Sequence, residues 1–401
     1  MKLTHHLRNR RDRTPLTRAA VQAQRANKAL DAGHLSKARF HTHLALRHLS
    51  DVTTAPQVAG AIRLLASRVE QQRGDLTAAY AHAQQACAAL TLPESPGDAG
   101  TKTERRVSGE DARLAVQCLR QLGAILMWQG EWAQAESLLQ QAQTRTRCLP
   151  DHIDLEAAQT WNLLGVLYKF WGRFERSEDA YTHAAEYVQH AGRVARPLAA
   201  TLAHNLGGLA FARGDFDTGE VQAGRSVQLR QALAGAGRQE VVADIAARAA
   251  ILAQQGRLDD AADDLAGALK IYRRLHGRCH LDWAVTANNL GVVEARRGNQ
   301  ARAARLMNQA LRAKEQVLGP DAVDVAVTLI NLVDLHLAAG RPDLARALWQ
   351  RAAAIVEHRA EADHPLARAV QNRAAKVIAC DTSTAPLSGG QSSWRKGGDV
   401  S

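Results

Sequence analysis

Small and apolar residues recur along the chain with a period of 42 residues. Each repeat is centred on a glycine, with a small residue five and twelve positions after it. A glycine usually stands seven positions before the central one, and a leucine usually stands eight before. The pattern predicts two helices per repeat, the first ending at the central glycine in a left-handed conformation. The six central glycines are Gly130, Gly172, Gly214, Gly256, Gly298 and Gly340.

The small residues indicate how the two helices of a repeat pack together. Antiparallel helices approach closely where their side chains are small, and a larger side chain would push them apart. Large apolar residues nine positions after the glycine, such as Leu139 and Tyr181, then fill the space between neighbouring pairs. Each pair leaves an apolar face that only the next pair covers. We therefore expect an all-α solenoid of about eight helix-turn-helix repeats.

Two divergent units precede the six matched ones, with Gly33 and Gly74 at the equivalent positions. The stretch between these units and the next is rich in proline, glycine and charge, which predicts a loop. The last residues are too polar and glycine-rich to pack, which predicts disorder. The predicted division is a basic segment at 1–14, two divergent repeats at 15–91, a loop at 92–111, six repeats at 112–362, a closing helix at 363–380 and a disordered tail at 381–401.

The segment ANNLGVVEARRGNQARAARLMNQALRAKEQVLGPDAVDVAVTLINL, residues 287–332, resembles the tetratricopeptide repeat. The repeat period of 42 residues and the VLGxD…DVA linker in this segment resemble the repeats of kinesin light chain in particular. The resemblance extends over about residues 15–380. It implies a right-handed superhelix in which the first helix of every pair lines a concave groove. Because this repeat is a scaffold, the resemblance says more about fold than about function.

Polar side chains recur at two of the positions that the resemblance places near the groove. An amide carries both a donor and an acceptor, so it can match a peptide backbone without reading the sequence of that peptide. Each such bond contributes only about 0.5–1.5 kcal/mol, so several are needed. The alternative is that these amides bond to neighbouring helices or to groove water. Asn162, His204 and Asn288 lie ten positions before a central glycine, and Asn205, Asn289 and Asn331 lie nine before.

Aromatic side chains add a second candidate feature to the groove. Trp128 and Phe170 both lie two positions before a central glycine, in adjacent repeats, and Lys169 stands beside Phe170. An aromatic anchor in a groove is the usual chemistry of a binding hot spot. The alternative is packing against the loops between repeats. Arg296, at the same position as Trp128 in a later repeat, would add a charge to the wall.

Charge is concentrated at the start of the chain. The net charge is +11 over 401 residues, and the first 50 residues hold eight Arg and three Lys against two Asp, which gives +9. Such a segment attracts nucleic acid or an acidic surface. The alternative is a solvated, arginine-rich surface. The five scattered cysteines form no CxxC pair, and no long apolar stretch occurs, so we expect a cytoplasmic protein with no membrane partner.

No arrangement of residues in the sequence predicts catalysis. The stretch GDAGTKT at 97–103 lacks the spacing of a phosphate-binding loop. The pairs His41/His43 and Cys279/His280 lack further ligands at metal spacing. We therefore predict no catalytic residue, no metal and no cofactor. The expected function is a non-enzymatic scaffold or adaptor that binds a peptide or protein segment. The alternative is a peptide-sensing regulator whose basic N-terminus contacts nucleic acid or an acidic partner.

Overall fold

The computed structural model describes residues 14–49, 56–90, 109–147, 149, 153–233, 238–359 and 364–382. Within these ranges the regular structure is helical throughout. A short 3-10 helix at Gly192–Ala195 precedes α9. The α-helices are α1 (Pro15–Asp31), α2 (Leu35–Leu49), α3 (Pro56–Arg73), α4 (Leu76–Ala88), α5 (Gly109–Gln129), α6 (Trp132–Thr146), α7 (Ile153–Trp171), α8 (Phe174–Ala191), α9 (Arg196–Arg213), α10 (Phe216–Gln231), α11 (Arg238–Gln254), α12 (Leu258–His276), α13 (Leu281–Arg296), α14 (Gln300–Leu318), α15 (Val323–Ala338), α16 (Pro342–Arg359) and α17 (Pro365–Thr382).

The helices pair in chain order, from α1 with α2 to α15 with α16, and α17 packs on α16. Each pair also packs on the next, so the described residues form a solenoid of eight hairpins followed by one helix. The prediction of an all-α solenoid is confirmed. The odd-numbered helices contact the next odd-numbered helix as well. They therefore form the inner, more strongly curved wall, and the even-numbered helices form the outer wall.

The turn inside each hairpin is built as predicted. Gly130, between α5 and α6, has a φ of 80°, which a residue with a Cβ adopts only at a cost. Its N–H donates to the carbonyl of Met127 at 3.1 Å, and the N–H of Glu131 donates to the carbonyl of Leu126 at 2.9 Å. These bonds satisfy carbonyls at the end of α5 that have no helical partner. All six predicted central glycines have positive φ, between 66° and 87°.

Gly165 shows why a small residue is required where two paired helices cross. It lies on α7 and faces Tyr181 of α8, whose side chain is fully buried. A Cβ placed on Gly165 would lie only 2.4 Å from a ring carbon of Tyr181. The hydroxyl of Ser177 donates to the carbonyl of Gly165 at 2.7 Å, which fixes the same crossing. The hairpin can therefore close only if position 165 has no side chain.

Replacing Gly165 with alanine is expected to lower the free energy of unfolding by about 1–3 kcal/mol, because the added methyl group overpacks the crossing. The matched control is Gly267→Ala on α12, where an added Cβ meets open space. That change is expected to leave stability equal or to raise it by about 0.4–1 kcal/mol. Urea denaturation followed by circular dichroism measures both. Equal stability of the two variants would show that the crossing is not tightly packed.

The solenoid contacts itself after five hairpins, which the sequence did not predict. A Cβ placed on Gly33, between α1 and α2, would lie 3.8 Å from Cε1 of His276 at the end of α12. A Cβ placed on Gly74, between α3 and α4, would lie 2.8 Å from Cγ1 of Val317 near the end of α14. The two contacts join equivalent positions of successive hairpins. An array that meets itself in this way has turned through about a full circle.

The same contact continues along the array, and we call the whole set of contacts the seam. Arg359, at the end of α16, pairs with Glu131 through an N–O distance of 3.3 Å. The indole N–H of Trp132 donates to the carbonyl of Arg359 at 3.3 Å. A Cβ on Gly172, between α7 and α8, would lie 2.6 Å from Cδ of Pro365 at the start of α17. The turns of the first four hairpins thus rest on the C-terminal ends of α12, α14 and α16 and on the start of α17.

The ends of several elements differ from the predicted division. Helix α5 begins at Gly109, inside the stretch 92–111 that was expected to be a loop. Helix α17 continues to Thr382, two residues into the stretch expected to be a disordered tail. Residues 1–13, 91–108 and 383–401 lie outside the described residues. Across the described ranges, no helix offers the length of apolar sequence that a bilayer crossing needs.

Candidate inner-wall binding site

The five predicted groove asparagines lie on odd-numbered helices, and four of them bond in pairs across neighbouring hairpins. The Nδ2 group of Asn205 on α9 donates to Oδ1 of Asn162 on α7 at 2.9 Å. The Nδ2 group of Asn331 on α15 donates to Oδ1 of Asn288 on α13 at 3.1 Å. Bonds between neighbouring helices are the alternative that the sequence left open. The structure therefore brings four of the predicted amides together in two inter-repeat pairs.

The two members of each pair have different roles. Asn162 and Asn288 are buried, and Asn288 is only 3% exposed with both of its functional groups engaged. Direct contact between Asn288 and a ligand, as predicted, is therefore not supported, because no face of the amide is open. Asn205, Asn289 and Asn331 are partly exposed. Within the described residues, Oδ1 of Asn205, Nδ2 of Asn289 and Oδ1 of Asn331 have no protein partner.

His204 and Arg296 bind neighbouring inner helices to each other. The Nδ1 atom of His204 lies 2.8 Å from Oδ1 of Asp244 on α11, and that buried carboxylate also accepts from Nε of Arg230 at 3.1 Å. A guanidinium N–H of Arg296 donates to the carbonyl of Ala253 in the preceding hairpin. These predicted site residues thus have structural partners. Their contacts position the inner wall.

The predicted aromatic anchor is assembled at the seam. The rings of Trp128 on α5 and Phe170 on α7 have centroids 5.4 Å apart and planes tilted by 56°. Phe170 is 37% exposed, so part of its ring remains accessible. Its carbonyl oxygen lies 2.8 Å from Nε2 of His364, just before α17. The pair therefore offers an open aromatic surface on helices whose ends the seam holds in place.

Lys169 lies between α7 and α9 beside this aromatic pair. Its Nζ atom would be 3.1 Å from a Cβ placed on Gly208 and lies 4.9 Å from the ring centroid of Phe170. The side chain is partly exposed, yet the curved wall crowds it, and this desolvation lowers the pKa of Lys169 to about 8. Among the described residues, no carboxylate lies within ion-pair distance of Nζ. The ammonium group is therefore an uncompensated positive charge on the inner wall.

Buried carboxylates that the sequence analysis did not identify fix the inner helices. Glu156 on α7 is 2% exposed and accepts from Arg113 at 2.6 Å, Gln117 at 2.8 Å and Arg120 at 2.6 Å, all on α5. Burial by itself would raise the pKa of Glu156, but Arg120 and the other donors lower it below the ordinary value. Arg120 occupies the repeat position of Asn162, so its place on the inner wall was readable from the sequence. Its pairing with Glu156 was not readable from the sequence.

One group of potential metal ligands gathers within the described residues, at His276, His280 and Asp282. The two imidazole rings stack with centroids 4.1 Å apart and planes 18° from parallel. Stacking directs their nitrogen lone pairs along nearly parallel planes rather than toward a common point. Nδ1 of His280 also accepts from the N–H of Asp282 at 3.3 Å. The parallel rings do not converge on a common ion position, and we assign no metal to the group.

Two profiles of the tetratricopeptide repeat match the chain. One covers residues 114–189 and 241–316, and the other covers residues 325–366. Together they include parts of α5 through α8 and of α11 through α17. No match to the chain was found among curated protein sequences.

Several solved structures share the fold at low sequence identity. A Rap protein complexed with competence and sporulation factor aligns over 91% of this chain and 100% of its own, with a TM-score of 0.54 and 12% identity. The Rap conjugation gene regulator of plasmid pLS20, in complex with the Phr* peptide, aligns over 90% and 98%, with a TM-score of 0.59 and 12% identity. NprR in complex with its cognate peptide NprX aligns over 89% and 99%, with a TM-score of 0.50 and 10% identity. At these identities the likeness shows the fold alone.

Proposed function

We propose that this tetratricopeptide repeat protein is a peptide receptor, which holds an extended peptide or protein segment along the inner wall of its closed superhelical turn. The observation that carries the proposal is the state of the inner-wall amides. Asn205, Asn289 and Asn331 are partly exposed, and each has a hydrogen-bonding atom without a protein partner in the described part of the chain. Each of the three is bonded to one neighbouring amide, so little side-chain freedom is lost when a ligand binds.

The row of open amides along the inner wall suits an extended peptide backbone better than a compact ligand. A peptide offers alternating N–H and C=O groups along its length, and amides on α9, α13 and α15 are spread along the same wall. Each bond contributes about 0.5–1.5 kcal/mol, so measurable affinity requires several of them together with apolar contact. The open aromatic surface of Trp128 and Phe170 supplies that contact.

The three structural neighbours support the proposal, because two are described with a bound peptide and one with competence and sporulation factor. A receptor of this kind is compatible with two roles, a peptide-sensing regulator and a passive adaptor. We further propose that the protein is not an enzyme, that it acts in the cytoplasm, and that its repeats are of the kinesin light chain type. A contact between the basic residues 1–50 and nucleic acid or an acidic surface stays a prediction, since residues 1–13 lie outside the described ranges.

Loss of the open amides is expected to weaken peptide binding by about 5- to 150-fold, since two lost bonds correspond to about 1–3 kcal/mol. The test begins with selection of ligands from a library of random linear peptides that carry free C-termini. Dissociation constants of the recovered peptides are then measured by fluorescence anisotropy for the wild type and for Asn205→Ala with Asn331→Ala. The matched control is Asn308→Ala on the outer helix α14, where the amide bonds only its own helix.

The control variant is expected to bind like the wild type. The proposal fails if the library yields no ligand, or if the inner-wall variant and the outer-wall variant bind the recovered peptides equally well. Circular dichroism on each variant shows whether the helical array is intact, so that a loss of affinity is not mistaken for a loss of fold.

A further inference from the structure

We propose that Cys87 and Cys118 form a redox site, in which a peroxide oxidises the two thiols to a disulfide that ties α4 to α5. The site lies at the joint between the second and third hairpins of the array. It is independent of the proposed peptide binding, because neither thiol belongs to the residues assigned to the inner-wall site. Both residues are free thiols in the structure, which is the reduced form of the pair.

The two cysteines lie in one apolar cluster where three helices meet. Cys118 on α5 is fully buried in this cluster, and Cys87 on α4 packs against it. A Cβ placed on Gly60 of α3 would lie 3.4 Å from the carbonyl oxygen of Ala86 and 3.6 Å from Cδ2 of Leu114. The end of α4 and the first half of α5 therefore converge beside the two thiols.

Small residues on α4 and α5 allow the two backbones to approach closely at this place. Ala86, next to Cys87, and Ala115, one turn before Cys118, are buried in the same cluster. A disulfide requires two Cα atoms separated by about 4.4–6.8 Å, a distance that closely packed helices provide. The local packing is therefore of the kind that a disulfide needs.

The repeat itself brings these two positions together. Cys87 lies thirteen positions after one central glycine, and Cys118 lies twelve positions before the next. The equivalent residues between the fourth and fifth hairpins are Ala185 and Leu202. Ala185 packs against the cluster that contains Leu202, so the contact recurs where no thiol is present. At the joint between α4 and α5, both of the residues in contact carry sulfur.

The two thiols differ in the way that a redox pair requires. Cys87 is partly exposed, so a peroxide can reach its sulfur, whereas Cys118 is closed to solvent. Hydrogen bonding from the Cys118 thiol lowers the pKa of Cys87 although burial opposes the fall, and the charge of Arg145 lowers it further. The same pairing and burial raise the pKa of Cys118. Cys87 is therefore the thiolate that attacks, and Cys118 is the thiol that resolves.

Oxidation of the pair takes place in two steps. The Cys87 thiolate attacks one oxygen of hydrogen peroxide, so that an S–O bond forms, the O–O bond breaks, and hydroxide leaves and takes up the proton that Cys87 released. The Cys118 thiol then gives up its proton and attacks the Cys87 sulfur, so that the S–S bond forms and the oxygen leaves as water. Two electrons pass from the thiols to the peroxide. A dithiol reductant reverses the change by thiol–disulfide exchange, as suits a cysteine pair in a reducing compartment.

The disulfide would restrain a joint that lies between two contacts of the seam. Gly74, in the turn of the second hairpin, faces Val317, and Glu131, in the turn of the third, pairs with Arg359. A covalent link between α4 and α5 limits the movement of these two hairpins relative to each other. It also reduces the conformational freedom of the unfolded chain. The oxidised protein is therefore expected to unfold at a higher temperature than the reduced protein.

The test exposes the full-length, reduced protein to a small molar excess of hydrogen peroxide and maps its cysteines by mass spectrometry, after alkylation without reductant. We expect a linked pair of peptides that contains Cys87 and Cys118. The denatured chain is expected to hold two fewer titratable thiols than the five of the reduced protein. Thermal unfolding followed by circular dichroism is expected to show a raised midpoint, which dithiothreitol returns to the value of the reduced protein.

Cys118→Ala removes the resolving thiol and keeps the attacking one. Oxidation of this variant is expected to stop at a sulfenic acid on Cys87, which dimedone labels, and the rise in the unfolding midpoint is expected to disappear. The matched control is Cys279→Ala, at an exposed cysteine, and it is expected to form the disulfide like the wild type. Circular dichroism before oxidation shows whether each variant has folded.

The redox site is overturned if Cys87 and Cys118 stay reduced at a peroxide concentration that oxidises the exposed Cys279, or if either of them pairs with a different cysteine. A disulfide between them that leaves the unfolding midpoint unchanged overturns the restraint on the joint. Mapping of the wild type requires no substitution, so these outcomes are decisive even if Cys118→Ala does not fold. They are also distinct from failure of the proposed function, which the inner-wall variants test separately.

Discussion

Replacing Glu156 with alanine is expected to lower the free energy of unfolding by about 3–5 kcal/mol. Glu156 is buried and accepts from Arg113, Gln117 and Arg120 on the neighbouring inner helix. Removing the carboxylate leaves the guanidinium of Arg120, whose side chain is only 16% exposed, without its counter-charge. Urea denaturation followed by circular dichroism measures the loss.

The matched control is Glu178→Ala, which removes an ion pair between Glu178 and Arg213 on the outside of the array. Glu178 is 57% exposed, so its loss is expected to cost no more than about 1 kcal/mol. The pKa of Glu156 is lower in the folded protein than in the unfolded chain. Its contribution is therefore complete above the unfolded pKa and is lost as the pH falls through the folded one. An equal cost for both variants would contradict the description of Glu156 as the centre of a buried network.

Replacing Gly74 with leucine is expected to open the seam and to weaken the binding of library-selected peptides by about tenfold. Gly74 has a φ of 86°, and a Cβ there would approach Val317 to 2.8 Å, so a larger side chain must push the two hairpins apart. If only a tenth of the molecules keep the closed turn, the apparent dissociation constant rises about tenfold. Small-angle X-ray scattering measures the opening, as an increase in the radius of gyration.

Gly298→Leu is the control for the backbone effect alone. Gly298 has a φ of 85°, which nearly equals that of Gly74, but an added Cβ there meets open space. Both variants are expected to lose about 1–2 kcal/mol of stability from the left-handed conformation. Only the Gly74 variant is expected to expand and to lose affinity. If both variants keep the compact radius of gyration, the seam does not depend on the contact at Gly74.

The repeated period in the sequence was enough to predict the hairpins, because their determinants are local. A glycine that must adopt positive φ, such as Gly130, marks the turn, and a residue without a side chain, such as Gly165, marks the crossing of two helices. Both constraints act within one repeat and recur in the next. The family resemblance then supplied the order of inner and outer helices.

The seam could not be predicted from the same pattern. It arises from the small rotation between successive hairpins, which accumulates over five of them before Gly74 meets Val317. No residue of a single repeat determines the rotation that accumulates over five hairpins. The buried partner of Arg120 was also unreadable, because Glu156 contacts it only once α5 and α7 are neighbours on the inner wall.

The pairing of the asparagines did have a signal in the sequence. Asn162 and Asn205 are 43 residues apart, as are Asn288 and Asn331, one more than the repeat length. That offset places the residue ten positions before one central glycine beside the residue nine positions before the next. The pattern was interpreted as a row of ligand contacts, whereas half of the paired amides serve to orient the other half. The receptor proposal depends on the amide atoms of Asn205, Asn289 and Asn331 that have no partner in the described residues.

The crystal structure of the protein with a library-selected peptide tests the central claim most directly. We expect an extended peptide on the inner wall, with its backbone bonded to the open amides of Asn205, Asn289 and Asn331 and with the seam closed around it. A peptide bound to the outer, even-numbered helices, or to the inner wall without contact to any of these three amides, would contradict the account.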